Sequence, residues 1–284
     1  MEDLMEKKLL VLDIDGTLVN NKKEITPRTK EAIFAAMEQG HSVMIASGRP
    51  TPGVQRYVEE LEFARFGGYV LSYNGARVQD CRSGKDIYEK KMSHRMIRPL
   101  YEYAVQHDLG IITYEKDMSV DPQVLSGRRI DEYIQLEADI NRLGVGERSN
   151  FSDYVNYDVY KVLLTANPAE SEKYMKELQM LYGDTVNVMR SEAFFIEVTA
   201  KGIDKARTLE RVIGPIGVSQ YNTICCGDGF NDISMVRYAG VGVAMGNAKE
   251  EVKAVADYVT ASNEEDGIAE VVDKFILNAE EIPD

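Results

Sequence analysis

Apolar and polar positions follow two rhythms along this chain. Leu9-Leu10-Val11-Leu12 is an unbroken apolar run, with the length of a strand buried on both faces. It stops at Asp13-Ile14-Asp15-Gly16-Thr17. Ile33, Phe34 and Met37 then take up helical spacing, behind Thr26 as a cap and Pro27 in the first turn, with Gly40 past the end. A second apolar run over 42–46 ends at Ser47-Gly48-Arg49, and Val54, Tyr57, Val58 and Leu61 trace another helix. Strand and helix alternating at this spacing build a parallel sheet. The same grammar returns late in the chain. Asp204 caps a helix carrying Ala206, Leu209, Val212 and Ile213, and a strand over 223–226 runs into Gly227-Asp228. A short helix over 231–239, strands over 241–245 and 258–259, and a closing helix over 264–277 follow. The expected class is α/β, with a doubly wound parallel sheet.

Between 84 and 194 that alternation blurs. A strand-like stretch over 154–165 mixes with helical patterns over 93–106 and 168–181. The segment reads as an α+β domain inserted into the first one, leaving a core of 1–83 plus 195–284. The 284 residues accommodate about two domains, on a prior of roughly 150 residues each. The acidic tail over 278–284 is expected to fray.

Composition narrows the function classes. Apolar residues make up 44% and charged residues 28%, which excludes a disordered chain. Lys plus Arg is 33 against 47 for Asp plus Glu, a net charge of −14. A nucleic-acid binder normally has the opposite sign, because it neutralises phosphates. An anionic small molecule then needs a local positive centre. Three cysteines, two of them adjacent, make no disulfide framework. No apolar run reaches the roughly 18 residues of a membrane span, and the run at Leu9 is too short for a secretory leader. A cytoplasmic protein is expected.

Candidate chemistry gathers where strands end, since ligands of parallel sheets bind beyond the carboxyl ends of the strands. One strand ends in Asp13 and Asp15, one in Ser47, and one in Asp228. Asp13 and Asp15 are two apart, so extended backbone turns both the same way. Two close carboxylates repel unless a cation lies between them. The plainer alternative is a pair of loop acids closing a strand. An EF-hand loop from Asp13 also meets the wrong pattern, with Leu18 where the turn glycine belongs. Gly227-Asp228-Gly229-Phe230-Asn231-Asp232 lies between strand and helix. Capping explains Asn231 or Asp232 but not Asp228. Lys205 at a helix start opposes the helix dipole, a conflict that a bound anion removes. An exposed lysine that tolerates the small cost is the alternative, and Lys201 competes for the role. Ser47-Gly48-Arg49 offers a hydroxyl and backbone N–H groups to an anion. Walker A and Gly-x-Ser-x-Gly patterns are absent, and the three histidines lack metal-ligand spacing.

Taken in order, Asp13-Ile-Asp-Gly-Thr, Ser47-Gly-Arg, Lys205 and Gly227-Asp-Gly-Phe-Asn-Asp resemble the four motifs of the haloacid dehalogenase-like (HAD) phosphatases. Ser72-Tyr-Asn-Gly-Ala, Lys201-Gly-Ile-Asp-Lys-Ala and Gly242-Val-Ala-Met-Gly-Asn-Ala are similar to stretches of the Cof-type branch, whose large inserted cap corresponds to residues 84–194. Ala206 departs from the glycine that commonly follows the motif lysine. The resemblance implies the HAD fold and a Mg²⁺-dependent hydrolysis of small phosphate esters. Asp13 is the implied nucleophile and Asp15 the acid and base. Metal ligands are the side chains of Asp13 and Asp228 and the backbone carbonyl of Asp15. Ser47, Gly48, Lys205 and Asn231 are implied to hold the phosphoryl group, with Thr17 and Asp232 in support. No nucleic-acid or membrane partner is expected, and the assembly is a monomer or small homo-oligomer. The alternatives are a phosphomutase of similar architecture and a non-catalytic binder of phosphorylated metabolites. All of this requires residues 13 and 228 to lie within about a dozen ångströms of each other.

Overall fold

The computed structural model describes residues 6–278. The acidic tail from residue 279 onward lies outside them. Among the described residues the strands form two sheets, one in each of two compact units. In chain order the strands are β1 (Leu9–Leu12), β2 (Ser42–Ala46), β3 (Tyr69–Ser72), β4 (Arg77–Asp80), β5 (Lys85–Glu89), β6 (Gly110–Tyr114) and β7 (Gln123–Ser126). Then come β8 (Gly144–Glu147), β9 (Lys161–Thr165), β10 (Val186–Arg190), β11 (Phe195–Ala200), β12 (Thr223–Gly227), β13 (Val241–Ala244) and β14 (Tyr258–Val259).

Among the described residues the first unit comprises 6–48, 56–88 and 204–278. Its sheet runs β14-β13-β12-β1-β2-β3-β4-β5. From β14 to β3 every pairing is parallel, while β3 and β4 pair antiparallel. The expected parallel core is therefore present, with an antiparallel extension at one side. β1 is central, flanked by β12 and β2, and all four of its residues are fully buried. This is why it reads as a solid apolar run rather than an alternation. The helix Pro27–Glu38 starts as expected, with the Thr26 hydroxyl accepting from the Thr29 N–H at 3.2 Å. It buries Ala32, Ile33, Ala36 and Met37.

The second unit comprises 49–55 and 89–203. Its sheet runs β10-β11-β9-β6-β7-β8, antiparallel except for the β7–β8 pair. The insert drawn from sequence at 84–194 differs from this division at both ends. β5 extends the first sheet, and β11 pairs with β9 and β10 in the second. An apolar strand such as Phe195–Ala200 announces its burial but not its partner. The strand expected over 154–165 is shorter, because a helical turn occupies Phe151–Tyr154 and β9 begins only at Lys161. Val155 is buried from irregular backbone and Val159 from an isolated antiparallel bridge to Met92, so strand-like composition there reports packing more than membership of a strand. No helix among the described residues is long and apolar enough to cross a membrane.

Candidate active site

Three parallel strands of the first sheet deliver the candidate residues to one rim. β1 ends at Asp13, β2 at Ser47 and β12 at Asp228. Asp13 is anchored by its N–H, which donates to the Cys226 carbonyl at 3.1 Å and so continues the β1–β12 ladder past the strand end. Carboxylate oxygens of Asp13, Asp228 and Asp232 lie within 4.8 Å of one another. The separation of residues 13 and 228 required from sequence is thus met with room to spare.

Lys205 is the positive centre of this group. It opens the helix Lys205–Val212 behind the Asp204 cap and is 1% exposed. Its Nζ donates to Asp13 Oδ1 at 2.8 Å and to Asp232 Oδ1 at 2.6 Å. These two carboxylates answer the conflict between a lysine and a helix N-terminus. Burial works against the Lys205 charge, but Asp13 and Asp232 outweigh it and raise the pKa. The other oxygen of Asp232 accepts from the N–H groups of Asp228 and Gly229, at 3.1 and 2.9 Å. Asp232 is therefore consumed on both sides, holding the lysine and folding the 227–232 loop.

Asp13 and Asp228 carry the electrostatic strain. Burial pushes the Asp13 carboxyl well above the usual carboxylate range, with Asp232 and Asp228 adding to the rise and Lys205 opposing it. Asp228 is raised to about 6, again mostly by burial and then by Asp232. It is half-buried and accepts from Thr17 Oγ1 at 3.1 Å. Gly16 lies against it with φ of +81°, and a Cβ there would collide with the Asp228 carboxylate. The glycine of Asp13-Ile-Asp-Gly-Thr is thus required for conformation and for close approach. Three carboxylates against one ammonium leave excess negative charge in a largely dry place. An all-oxygen donor set of this kind suits a hard divalent cation.

The remaining residues surround this centre. The Asp15 side chain is not in the carboxylate cluster, and its Oδ1 accepts from Lys23 Nζ at 2.7 Å at the exposed side of the loop. Ser47 is buried, and its carbonyl accepts from the Asn74 N–H at 3.0 Å. A Cβ on Gly48 would come within 3.1 Å of the Asn74 amide. Asn231 Nδ2 donates to Asn74 Oδ1 at 3.1 Å, so Asn74 ties the Ser47 turn to the Asp228 loop. It does so from a left-handed backbone with φ of +56°, which asparagine tolerates.

Asn74, Lys23 and Asn247 were assigned no role from sequence. Asn247 Nδ2 donates to the Gly16 carbonyl at 2.8 Å, and its Oδ1 accepts from the Asn263 N–H at 3.0 Å. Asn263 Nδ2 in turn donates to the Val19 carbonyl at 2.8 Å. Together the two asparagines clamp the loop that carries Asp15. The signal for Asn74 and Asn247 was present in the Ser-Tyr-Asn-Gly-Ala and Met-Gly-Asn-Ala stretches, whereas nothing in the sequence marks Lys23.

Comparison with known proteins gives the chain's family. The family model for haloacid dehalogenase-like hydrolases matches residues 10–272, and the chain belongs to that family. A crystal structure of a haloacid dehalogenase-like hydrolase from Bacteroides thetaiotaomicron is 39% identical, with a TM-score of 0.88, over 95% of this chain and all of that one. The HAD subclass IIB sugar phosphatase BT4131 is 30% identical with a TM-score of 0.79, covering 95% of this chain and 99% of its own. A curated relative from Bacillus subtilis, the 5-amino-6-(5-phospho-D-ribitylamino)uracil phosphatase YcsE, is 29% identical over 95% of this chain and 96% of its own length.

Proposed function

We propose that this HAD-family phosphatase is a Mg²⁺-dependent phosphomonoester hydrolase of small metabolites, sugar phosphates or similar, working through an aspartyl-phosphate. The observation that carries the reading is the Asp13 carboxylate. It is held by Lys205 on one oxygen and lies within 4.8 Å of Asp228 and Asp232. Asp13 and Asp228, with the backbone carbonyl of Asp15, would hold Mg²⁺, which would supply charge neutralisation to the carboxylates and the phosphoryl oxygens.

In this reading an Asp13 carboxylate oxygen attacks phosphorus. The ester P–O bond breaks, and Asp15 donates its proton to the leaving oxygen. Asp15, now a base, takes a proton from the water that attacks the aspartyl-phosphate. The bond between Asp13 and phosphorus breaks, releasing inorganic phosphate and restoring Asp13. Lys205, Ser47, the Gly48 N–H and Asn231 hold the phosphoryl oxygens, while Thr17 and Asp232 position Asp228 and Lys205. Such catalysis is chiefly positioning and charge compensation. The substrate class is supported by the two relatives named for a sugar phosphate and a phosphorylated ribityl compound.

The test is hydrolysis of a generic aryl phosphate and of hexose phosphates. Free phosphate should appear with Mg²⁺ and not with EDTA, and Asp13→Asn should lower kcat/KM at least ~10³-fold while the protein stays folded. Isomerised hexose phosphate without phosphate release would favour a mutase, and full activity of Asp13→Asn would end the nucleophile assignment.

A further inference from the structure

The first sheet has a second rim, at the amino ends of the strands that carry the catalytic residues, and it bears a cleft of about 570 Å³. Lys7 lies just ahead of β1, Ser42 opens β2 and Tyr69 opens β3, and all three line it. Lys7 and Asp13 are six positions apart, roughly 20 Å at about 3.3 Å per residue of strand. The volume falls in the range of small-molecule pockets, roughly 300–1,000 Å³.

The charge of this cleft runs against that of the chain. Lys7, Arg65 and Arg82 line it with a single carboxylate, Asp80, in a protein of net charge −14. Asp80 is turned into its own loop, accepting from the Arg82 N–H at 2.9 Å and the Ser83 hydroxyl at 2.9 Å. Arg82 Nη2 donates to the carbonyls of Arg65 and Phe66, at 3.1 and 2.9 Å, which fixes its guanidinium in place. Arg65 uses Nη1 on Glu62 at 2.8 Å. Lys7 Nζ donates to the Ile216 carbonyl at 3.5 Å. His41, 7% exposed, also lines the cleft. Its Nδ1 accepts from the Lys8 N–H at 3.1 Å, which puts the ring proton on Nε2, and that atom is buried with no hydrogen-bond partner among the described residues. Met37, Phe66 and Tyr69 supply apolar wall.

We infer that this cleft is a second anion site, distinct from the catalytic rim, which takes a small phosphate-bearing metabolite. Its charged group meets Lys7, Arg65 and Arg82, and its body lies against Phe66 and Tyr69. Two guanidinium groups and an ammonium match a phosphate dianion better than a single carboxylate. The cleft is larger than inorganic phosphate needs, so the phosphate is attached to something.

The test uses inorganic phosphate as the probe and the Met37 methyl group as a local reporter in carbon–proton spectra of the whole protein. EDTA is present throughout, so that the carboxylate-rich catalytic rim repels the probe. Met37 should shift saturably with phosphate. In Lys7→Gln/Arg65→Gln the half-point should move at least tenfold higher, while thermal stability and Mg²⁺-dependent hydrolysis stay unchanged. Lys7→Gln alone, expected to move it about threefold, serves should the double variant fold poorly. A Met37 signal that does not respond up to ~50 mM phosphate, an affinity too weak to matter, would overturn the assignment. The same titration curve in wild type and variant would do so too. Neither substituted residue is in the catalytic assembly, so these outcomes are read separately from the loss of hydrolysis in Asp13→Asn.

Discussion

Lys205 in the first unit and Lys161 in the second are both almost fully buried, and both lie against carboxylates. Lys161 opens β9, and its Nζ reaches Glu197 Oε1 on β11 at 3.3 Å. The register sets Lys161 opposite Thr199 and Glu197 opposite Leu163, so the pair is a diagonal contact on one face of the sheet. Glu137, which burial pushes upward, is capped by the Tyr114 hydroxyl at 2.6 Å. Here Lys161 acts on both carboxylates, with the Tyr114 hydroxyl and the Arg49 charge also favouring the Glu137 anion. Lys205 likewise serves two carboxylates, but at a strand end and with a third, half-buried one beside them. The lesson is that a buried lysine with acids is no site by itself. Unbalanced negative charge at an accessible strand terminus distinguishes a place built for chemistry from one built for packing.

The sharpest way to break this contrast is at the Asp228 carboxylate. Asp228→Asn should lower Mg²⁺-dependent kcat/KM by ~10³-fold or more, measured on an aryl phosphate, and leave the denaturation midpoint level or higher, because it removes repulsion. A fall in stability with normal turnover would place Asp228 in the same structural class as Glu197. Asp15→Asn comes next. It lies outside the lysine cluster, so its loss should leave folding intact and cost about 10²–10⁴ in kcat. Lys161→Met tests the other side. It removes the buried ammonium that Glu197 faces and should cost about 3–5 kcal/mol of stability in urea unfolding, with hydrolysis of an aryl phosphate unchanged per folded molecule. Lost turnover with stability intact would make Lys161 part of the site.

The smallest effect is the pH dependence of metal stabilisation. Asp228 is raised to about 6 and Asp13 is raised as well. Folded protein without metal therefore holds more protons than the unfolded chain as pH climbs from about 4 toward 6, and the stability due to these groups falls across that window. A cation competes with the same protons. The rise in Tm on adding Mg²⁺ should be slight at pH 5 and grow to several degrees by pH 7. A constant increment over that range would show that the cation does not meet these carboxylates.

Most of the core was legible from local patterns. Leu9–Leu12 shows no alternation because strands lie on both sides of it and both faces are covered. Thr26-Pro27 and Asp204 mark helix starts by capping chemistry that acts within three residues. The strand-end acids were visible because a parallel sheet puts its chemistry at one rim. Less of the second unit could be read. β11 is as apolar as β12, and membership of one sheet or the other depends on partners far along the chain.

What the sequence determined alone is therefore what short-range physics decides: helix starts, Lys205 at one of them, and buried strands with Asp13, Asp15, Ser47 and Asp228 at or just past their ends. Tertiary structure decided which carboxylate pairs with which donor. Asp232 closes on Lys205 and its own loop, Asp15 turns to Lys23, and Asn74 bridges Ser47 and Asn231. Hydrogen bonds and ion pairs act over about 3 Å, and only the folded backbone brings residues 74, 205 and 231 within that distance of their partners.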